Sequence, residues 1–233
     1  MKVIQYNEIV KEVKAACFEA NCHLPADIVS ALEKAQKQEK SPLGSNVLAT
    51  ILENAQIARD KAMAICQDTG MAVVFAELGQ DVRIAGGLLT DAIDEGVRQA
   101  YADFYFRKSV VKDPLERVNT EDNTPAVVHL SLVEGDSLKL LIAPKGFGSE
   151  NMSALRMLKP AEGVQGVKDF VVETVIRAGG NPCPPIIVGV GMGGTMEKAA
   201  LLAKRAVLRP IGAKNPQPHL AQLETTPVLL TNS

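Results

Sequence analysis

Apolar positions in the first sixty residues recur at helical spacing. Ile9, Val10, Val13, Ala16 and Cys17 share one side of a 3.6-residue period, Pro25-Ala26-Asp27 reads as a helix start, and Ser45-Asn46 precedes an amphipathic run to Met63. Three helices are therefore predicted before the chain reaches residue 65. The period then changes. Met71-Ala72-Val73-Val74-Phe75-Ala76-Glu77-Leu78 is apolar and rich in β-formers, so a strand is predicted, and after a turn-rich patch Gly86-Gly87 leads into a helix through Tyr101 to Phe106. Residues 112–125 are polar and turn-rich and too long for a tight connection, which predicts an ordered surface loop. Val127 to Val133 and Ser137 to Ala143, separated by Glu134-Gly135-Asp136, predict an antiparallel hairpin. A helix from Val164 to Ala178 ends at Gly179-Gly180. Cys183 then opens a predicted strand, Ile186 to Val190, and Gly191-Met192-Gly193-Gly194-Thr195 turns into a last helix reaching Leu208.

Helices first and strands later predict an α+β fold: N-terminal helices followed by a mixed β-sheet with covering helices. The expected organisation is one domain with a helical region at 1–65, an α+β region at 66–212 and an irregular tail at 213–233, where Pro216, Pro218 and Pro227 interrupt any helical face.

Composition narrows the function classes. The chain has 233 residues, 46% of them hydrophobic and 22% charged, enough for a sizeable core. A formal net charge of -2 gives no basic field for a phosphate backbone, and no Lys/Arg cluster is backed by aromatic residues, so nucleic acid is not an expected partner. Met1 to Gln5 lacks an apolar signal segment, and no apolar run approaches membrane-spanning length; a cytoplasmic location with no membrane contact is expected. The four cysteines, Cys17, Cys22, Cys66 and Cys183, then read as reduced thiols.

Chemistry-bearing residues concentrate in a few turns. Cys66 is followed by Gln67, Asp68 and Thr69, an amide, a carboxylate and a hydroxyl in consecutive positions. Cys183 lies 117 positions later between Pro182 and Pro184-Pro185, which fix the backbone. Thiols presented in this way suit a soft metal, with the carboxylate free to handle a proton; the competing reading is two small buried hydrophobes and a turn-capping aspartate. Lys108 is explained by its place at a helix end, whereas the planar guanidinium of Arg107 also suits a dicarboxylate. The glycine turn at Gly191 to Thr195 precedes a helix and would attract an anion, but it lacks the Gly-Lys-Ser/Thr ending of a nucleotide loop. Lys145-Gly146-Phe147-Gly148-Ser149 is read either as a second such turn or as an ordinary strand-to-helix connection. Cys17 and Cys22 have no metal-site spacing and read as structural, and none of the three histidines has a zinc-like partner.

Taken in order, Ile65-Cys66-Gln67-Asp68-Thr69-Gly70, Arg107-Lys108-Ser109, Asn119-Thr120 with Asn123-Thr124-Pro125-Ala126, Lys145-Gly146-Phe147-Gly148-Ser149-Glu150-Asn151, and Pro182-Cys183-Pro184-Pro185 with Gly189 to Thr195 resemble the alpha subunit of the two-subunit class I fumarate hydratases. The alpha subunit of L(+)-tartrate dehydratase shares the pattern. The resemblance implies a hydro-lyase alpha subunit that reversibly hydrates a small dicarboxylate, fumarate to malate first and tartrate second, together with a beta subunit. It also implies an oxygen-sensitive 4Fe-4S cluster whose substrate-facing iron acts as a Lewis acid. Carried over by motif, Cys66 and Cys183 are cluster ligands, Gln67, Asp68, Arg107 and Gly148 contact the dicarboxylate, and Asp68 takes part in proton transfer. The region 66–212 is then the cluster-binding region. The family's third cluster cysteine follows the stretch matching Arg209-Pro210-Ile211-Gly212. Leu223 to Ser233 do not resemble that continuation, so the third ligand is not found in this chain, which is expected to lack the C-terminal part and to hold iron and sulfide poorly. A cluster-free module that only docks a beta subunit is the non-enzymatic alternative.

Overall fold

The computed structural model of the protein describes residues 1–225, and the chain gathers into two units, Met1–Phe147 and Gly148–Ser233.

In the first unit the three predicted helices form: α1 (Tyr6–Cys22), α2 (Ala26–Gln38) and α3 (Pro42–Lys61). The third starts earlier than its Ser45-Asn46 signal, because Pro42 occupies the first turn and the Ser41 hydroxyl accepts the Gly44 N–H at 3.3 Å. A short strand that the sequence pattern did not reveal, β1 (Lys2–Gln5), precedes α1 and pairs in parallel with β3 (Val82–Ala85). Between them in sequence lies β2 (Met71–Gly79), followed after β3 by α4 (Leu89–Asp103).

The runs 127–133 and 138–145 form strands, β4 (Val127–Val133) and β5 (Leu138–Lys145), but they do not make the predicted hairpin. Strand β2 lies between them, parallel to β4 and antiparallel to β5. The reason is visible in the connection. Gly79, Gln80 and Asp81 donate their N–H groups to the carbonyls of Ser137, Val133 and Gly135 at 2.8, 2.9 and 3.0 Å, so the 133–137 turn wraps around the end of β2. Ala72 to Ala76 of β2 are all buried, and a strand this apolar is most stable in the centre of a sheet, with both edges paired. The sheet is mixed and the class α+β, as predicted.

One face of the sheet meets α1 and α4 in a core built from Ile9, Val10, Val13 and Cys17, from Ile93, Val97, Ala100 and Tyr101, and from Ala72 and Val74. Each fully buried large apolar side chain here contributes roughly 2 kcal/mol. The two helices approach closely because α4 carries Gly96 at the contact; a Cβ there would lie 2.6 Å from Val13 Cβ. Cys17 and Cys22 belong to this core, which bears out their structural reading.

The second unit contains the turn α5 (Phe147–Glu150, begun by the last residue of the first unit), then α6 (Gly163–Ala178), α7 (Met196–Ala206) and α8 (Pro218–Thr225). Arg156 pairs with Glu173 at 2.7 Å and stacks over Phe170, and Lys204 pairs with Glu150. Ile186 to Val190 do not form the predicted strand. The segment lies against α7, where a Cβ on Gly191 would meet Ala199 O at 2.0 Å, while Ile187 and Val188 are about half exposed. A β-branched run becomes a strand only when another strand satisfies its peptide groups, and this unit has no strand among the described residues. The tail, expected to be irregular from residue 213, contains α8, which Arg209 ties back by an ion pair with Glu224 at 2.5 Å. Residues 226–233 of that tail lie outside the described residues. No described helix is long and apolar enough to cross a membrane.

Candidate active site

The Cys66 loop is pinned at both ends. Ile65 donates its N–H to Asn21 O at the end of α1, at 2.9 Å, and accepts from the Asn54 amide of α3 at 2.8 Å. Two residues past Asp68, the Gly70 carbonyl accepts from the Asn123 amide at 3.0 Å, and the Thr69 carbonyl accepts from the Tyr101 hydroxyl at 2.7 Å. Burial pushes the Tyr101 phenol well above its ordinary range, so it stays a donor. Between the pins Cys66 and Gln67 are exposed and Asp68 is half-buried. The Cys66 thiol donates to Gln67 Oε1 at 3.7 Å, and its sulfur accepts the Asp68 N–H at 3.4 Å.

The stretch after α4 has no regular structure, yet its peptide groups are held by side chains. Thr69 Oγ1 donates to Arg107 O at 2.8 Å, Asn119 Nδ2 donates to Lys108 O at 2.9 Å, and Asn123 Oδ1 accepts from both Ser109 N and Val110 N at 2.7 and 3.1 Å. Asn123 is fully buried and has φ of 62°, a left-handed conformation that asparagine tolerates better than most residues. Its neighbour Asp122 is also tied in. Burial opposes its charge, but the Thr124 N–H and hydroxyl and the Arg98 guanidinium outweigh that and hold the carboxyl at about 2. Arg107 thus projects, exposed, from a fixed backbone.

The end of β5 closes the arrangement. A Cβ on Gly70 would lie 2.0 Å from Lys145 O, and one on Gly146 would lie 3.0 Å from Asp68 Oδ2, so the Lys145-Gly146 peptide faces the Asp68 carboxylate. The structure therefore brings together Cys66, Gln67, Asp68, Arg107 and Gly146 within the first unit. Gly148 and Cys183, also predicted site residues, belong to the second unit, where both are exposed. Cys183 has φ of 60° and follows a turn in which it donates to Gly180 O at 3.2 Å. A cysteine in that left-handed region costs about 1–2 kcal/mol relative to its relaxed backbone, strain of the kind concentrated at functional positions. The anion-cradle reading of Gly191 to Thr195 loses ground, because Glu197 already puts a carboxylate in the first turn of α7, hydrogen-bonded to Thr195 Oγ1 at 2.5 Å.

Cys66 and Cys183 are each exposed in a turn of their own unit, and the Cys66 sulfur receives a peptide N–H; an exposed thiolate in such a turn is a chemically suitable donor to iron. Among the described residues no three His, Cys, Asp or Glu side chains are grouped to hold a metal ion by themselves. The sequence reading named Cys66, Gln67, Asp68, Arg107, Gly148 and Cys183 as site residues. It quoted Thr69 and Asn123 within motifs but missed their role as anchors, along with that of Tyr101. Their only local signal was an unusual density of Asn and Thr in a loop beside the motifs.

Fold and site together define an α+β protein that presents a thiol, an amide, a carboxylate and a guanidinium on two interlocked loops. Comparison with known proteins gives the family. The sequence model of the fumarate hydratase (Fumerase) family matches residues 10–232. A Methanocaldococcus jannaschii protein, provisionally named L(+)-tartrate dehydratase subunit alpha, is 42% identical over 212 residues, covering 88% of this chain and 74% of that protein. The L(+)-tartrate dehydratase subunit alpha of Escherichia coli strain K12 is 33% identical over 205 residues, covering 86% of this chain and 67% of the relative. The chain belongs to the fumarate hydratase family.

Proposed function

We propose that this chain is the alpha subunit of an iron–sulfur hydro-lyase that reversibly hydrates a small dicarboxylate, fumarate to malate, in complex with a beta subunit. The observation that carries the reading is the tie between the Cys66–Gly70 loop and the Arg107 loop, because it holds the backbones that bear the Asp68 carboxylate and the Arg107 guanidinium on one frame, which supports a shared substrate. Arg107 pairs with one substrate carboxylate, and a planar guanidinium does so with two parallel hydrogen bonds. Gln67 orients the same substrate through its amide, and Gly148, carried over by motif, would be a further contact. Asp68 moves the proton on the carbon beside the carboxylate. Cys66 and Cys183, carried over by motif, are the residues that would supply thiolates to the cluster. When bound, that group supplies Lewis-acid polarisation of the hydroxyl that is added or lost. Membership of the family and the subunit-alpha names of the relatives support both the hydro-lyase class and the beta partner.

The relatives' names favour a second substrate, L(+)-tartrate. Anaerobic co-expression with a beta subunit of the family, followed by assays on fumarate, malate and L(+)-tartrate, decides. Activity abolished by Asp68→Asn and by Cys66→Ser supports the reading, and the preferred acid selects between the substrates. A stable complex inert towards all three acids after iron and sulfide reconstitution leaves only the docking role.

A further inference from the structure

The Asn123 side chain bonds to both loops of the site at once. Its carbonyl oxygen takes the N–H groups of Ser109 and Val110, and its amide donates to Gly70 O. Thr69 makes the second crossing, from the residue after Asp68 to the Arg107 carbonyl. Both residues are buried, at 0% and 3% exposure, so neither touches a substrate. From this geometry we infer that Asn123, supported by Thr69, is a positioning residue. It sets the spacing between Asp68 and Arg107 so that the guanidinium holds a substrate carboxylate while the Asp68 carboxylate reaches the carbon beside it. The inference rests on the hydro-lyase reading for its consequence, but not for the spacing itself.

The substitutions separate the two crossings. Asn123→Asp keeps the oxygen that accepts from Ser109 and Val110 and replaces the donor to Gly70 O with a second oxygen, breaking that bond and burying a carboxyl group. Thr69→Val keeps the shape and removes the donor to Arg107 O, whereas Thr69→Ser restores it. Asn123→Ala removes everything. All are made in the full chain in complex with its beta subunit.

With fumarate as substrate, Asn123→Asp and Thr69→Val each lower kcat/KM by about tenfold to a hundredfold, the range for a buried group left without its partner, and Thr69→Ser recovers most of the loss. The deciding measurement is the double-substitution cycle. On an Arg107→Ala background the same changes cost less than about threefold, because the residue they position is gone. Equal factors on both backgrounds overturn the inference, since general damage to the fold multiplies independently of Arg107. Amide hydrogen exchange gives a readout apart from activity: protection of Ser109 and Val110 falls in Asn123→Ala, and unchanged protection refutes the spacing role. An inactive wild-type complex sinks the hydro-lyase reading, and exchange at those two amides then decides the spacing claim on its own.

Discussion

Gly70→Ala is the sharpest stability test of the site, because two separate costs meet at one backbone position. Gly70 has φ of 56°, where a side chain costs about 1–2 kcal/mol. The added methyl would also sit 2.0 Å from Lys145 O, 2.4 Å from Lys145 C and 2.7 Å from Gly146 N. All three atoms are backbone at the end of β5, which is held in register by pairing with β2, so no side chain can swing away. Relief requires moving the Cys66–Gly70 loop by roughly an ångström against its ties to Asn123 and Tyr101, an overpacking cost of about 1–3 kcal/mol. The sum is about 2–5 kcal/mol, a large part of the 5–15 kcal/mol that stabilises an ordinary domain. Gly135→Ala is the matched control. Its φ of 97° carries the conformational cost, but no atom lies within 4 Å of the added methyl. Thermal unfolding followed by circular dichroism should show Tm lowered by about 10 °C for Gly70→Ala and by about 2–4 °C for Gly135→Ala, at the usual few degrees per kcal/mol. Equal shifts would refute the close approach between the Asp68 loop and β5, and with it the geometry assigned to the site.

Three further outcomes follow from other parts of the molecule. In the metal-free native chain Cys66 and Cys183 react quickly with a thiol reagent, while Cys17 and Cys22 react only on unfolding, because both lie in the core and burial pushes the Cys17 thiol up to about 12; mass spectrometry of the labelled peptides checks this, and early labelling of Cys17 contradicts it. Asp122 is held at about 2, below the roughly 3.9 of an unfolded aspartate, so its charge stabilises the fold above about pH 4 and that contribution is lost as pH falls towards 2. With a side chain 29% exposed, the contribution is discounted to about 1 kcal/mol, and the urea midpoints of Asp122→Asn and the parent should converge over that window; a constant gap refutes the assignment. Gly146→Ala places a methyl 3.0 Å from Asp68 Oδ2, the end of a side chain that can move, so it should cost under about 1 kcal/mol of stability yet lower kcat about tenfold or more if Asp68 handles the proton as proposed; a calorimetric loss without a kinetic one would count against that role.

How far the sequence could be read depended on the range of the interaction that makes each feature. Helix α1 was legible because Ile9, Val10, Val13 and Cys17 lie within two and a half turns of one another and share one buried stripe. The pairing of β4 was not. Val127–Val133 and Ser137–Ala143 carry a sound local hairpin signal, and what defeats it is β2, some fifty residues earlier, whose buried run takes both edges. Strands β1 and β3, four residues each, hold together only through each other across eighty residues and leave no periodic trace.

The site divides along the same line. Thiol, carboxylate and guanidinium are recognisable from residue type and neighbours, so Cys66, Asp68, Arg107 and Cys183 could be proposed from the chain alone. What makes three of them a geometry is a set of neutral hydrogen bonds from Thr69, Tyr101, Asn119 and Asn123 to peptide groups on distant loops. In sequence these residues look like turn formers or core, because a side-chain amide bonding a backbone two residues away and one bonding a backbone fifty-three residues away are the same residue. A loop dense in Asn and Thr that also contains a buried asparagine at positive φ is therefore better treated as the frame of a site than as its surroundings. At Asn123 that frame ties the loop that carries the Asp68 carboxylate to the loop that carries the Arg107 guanidinium.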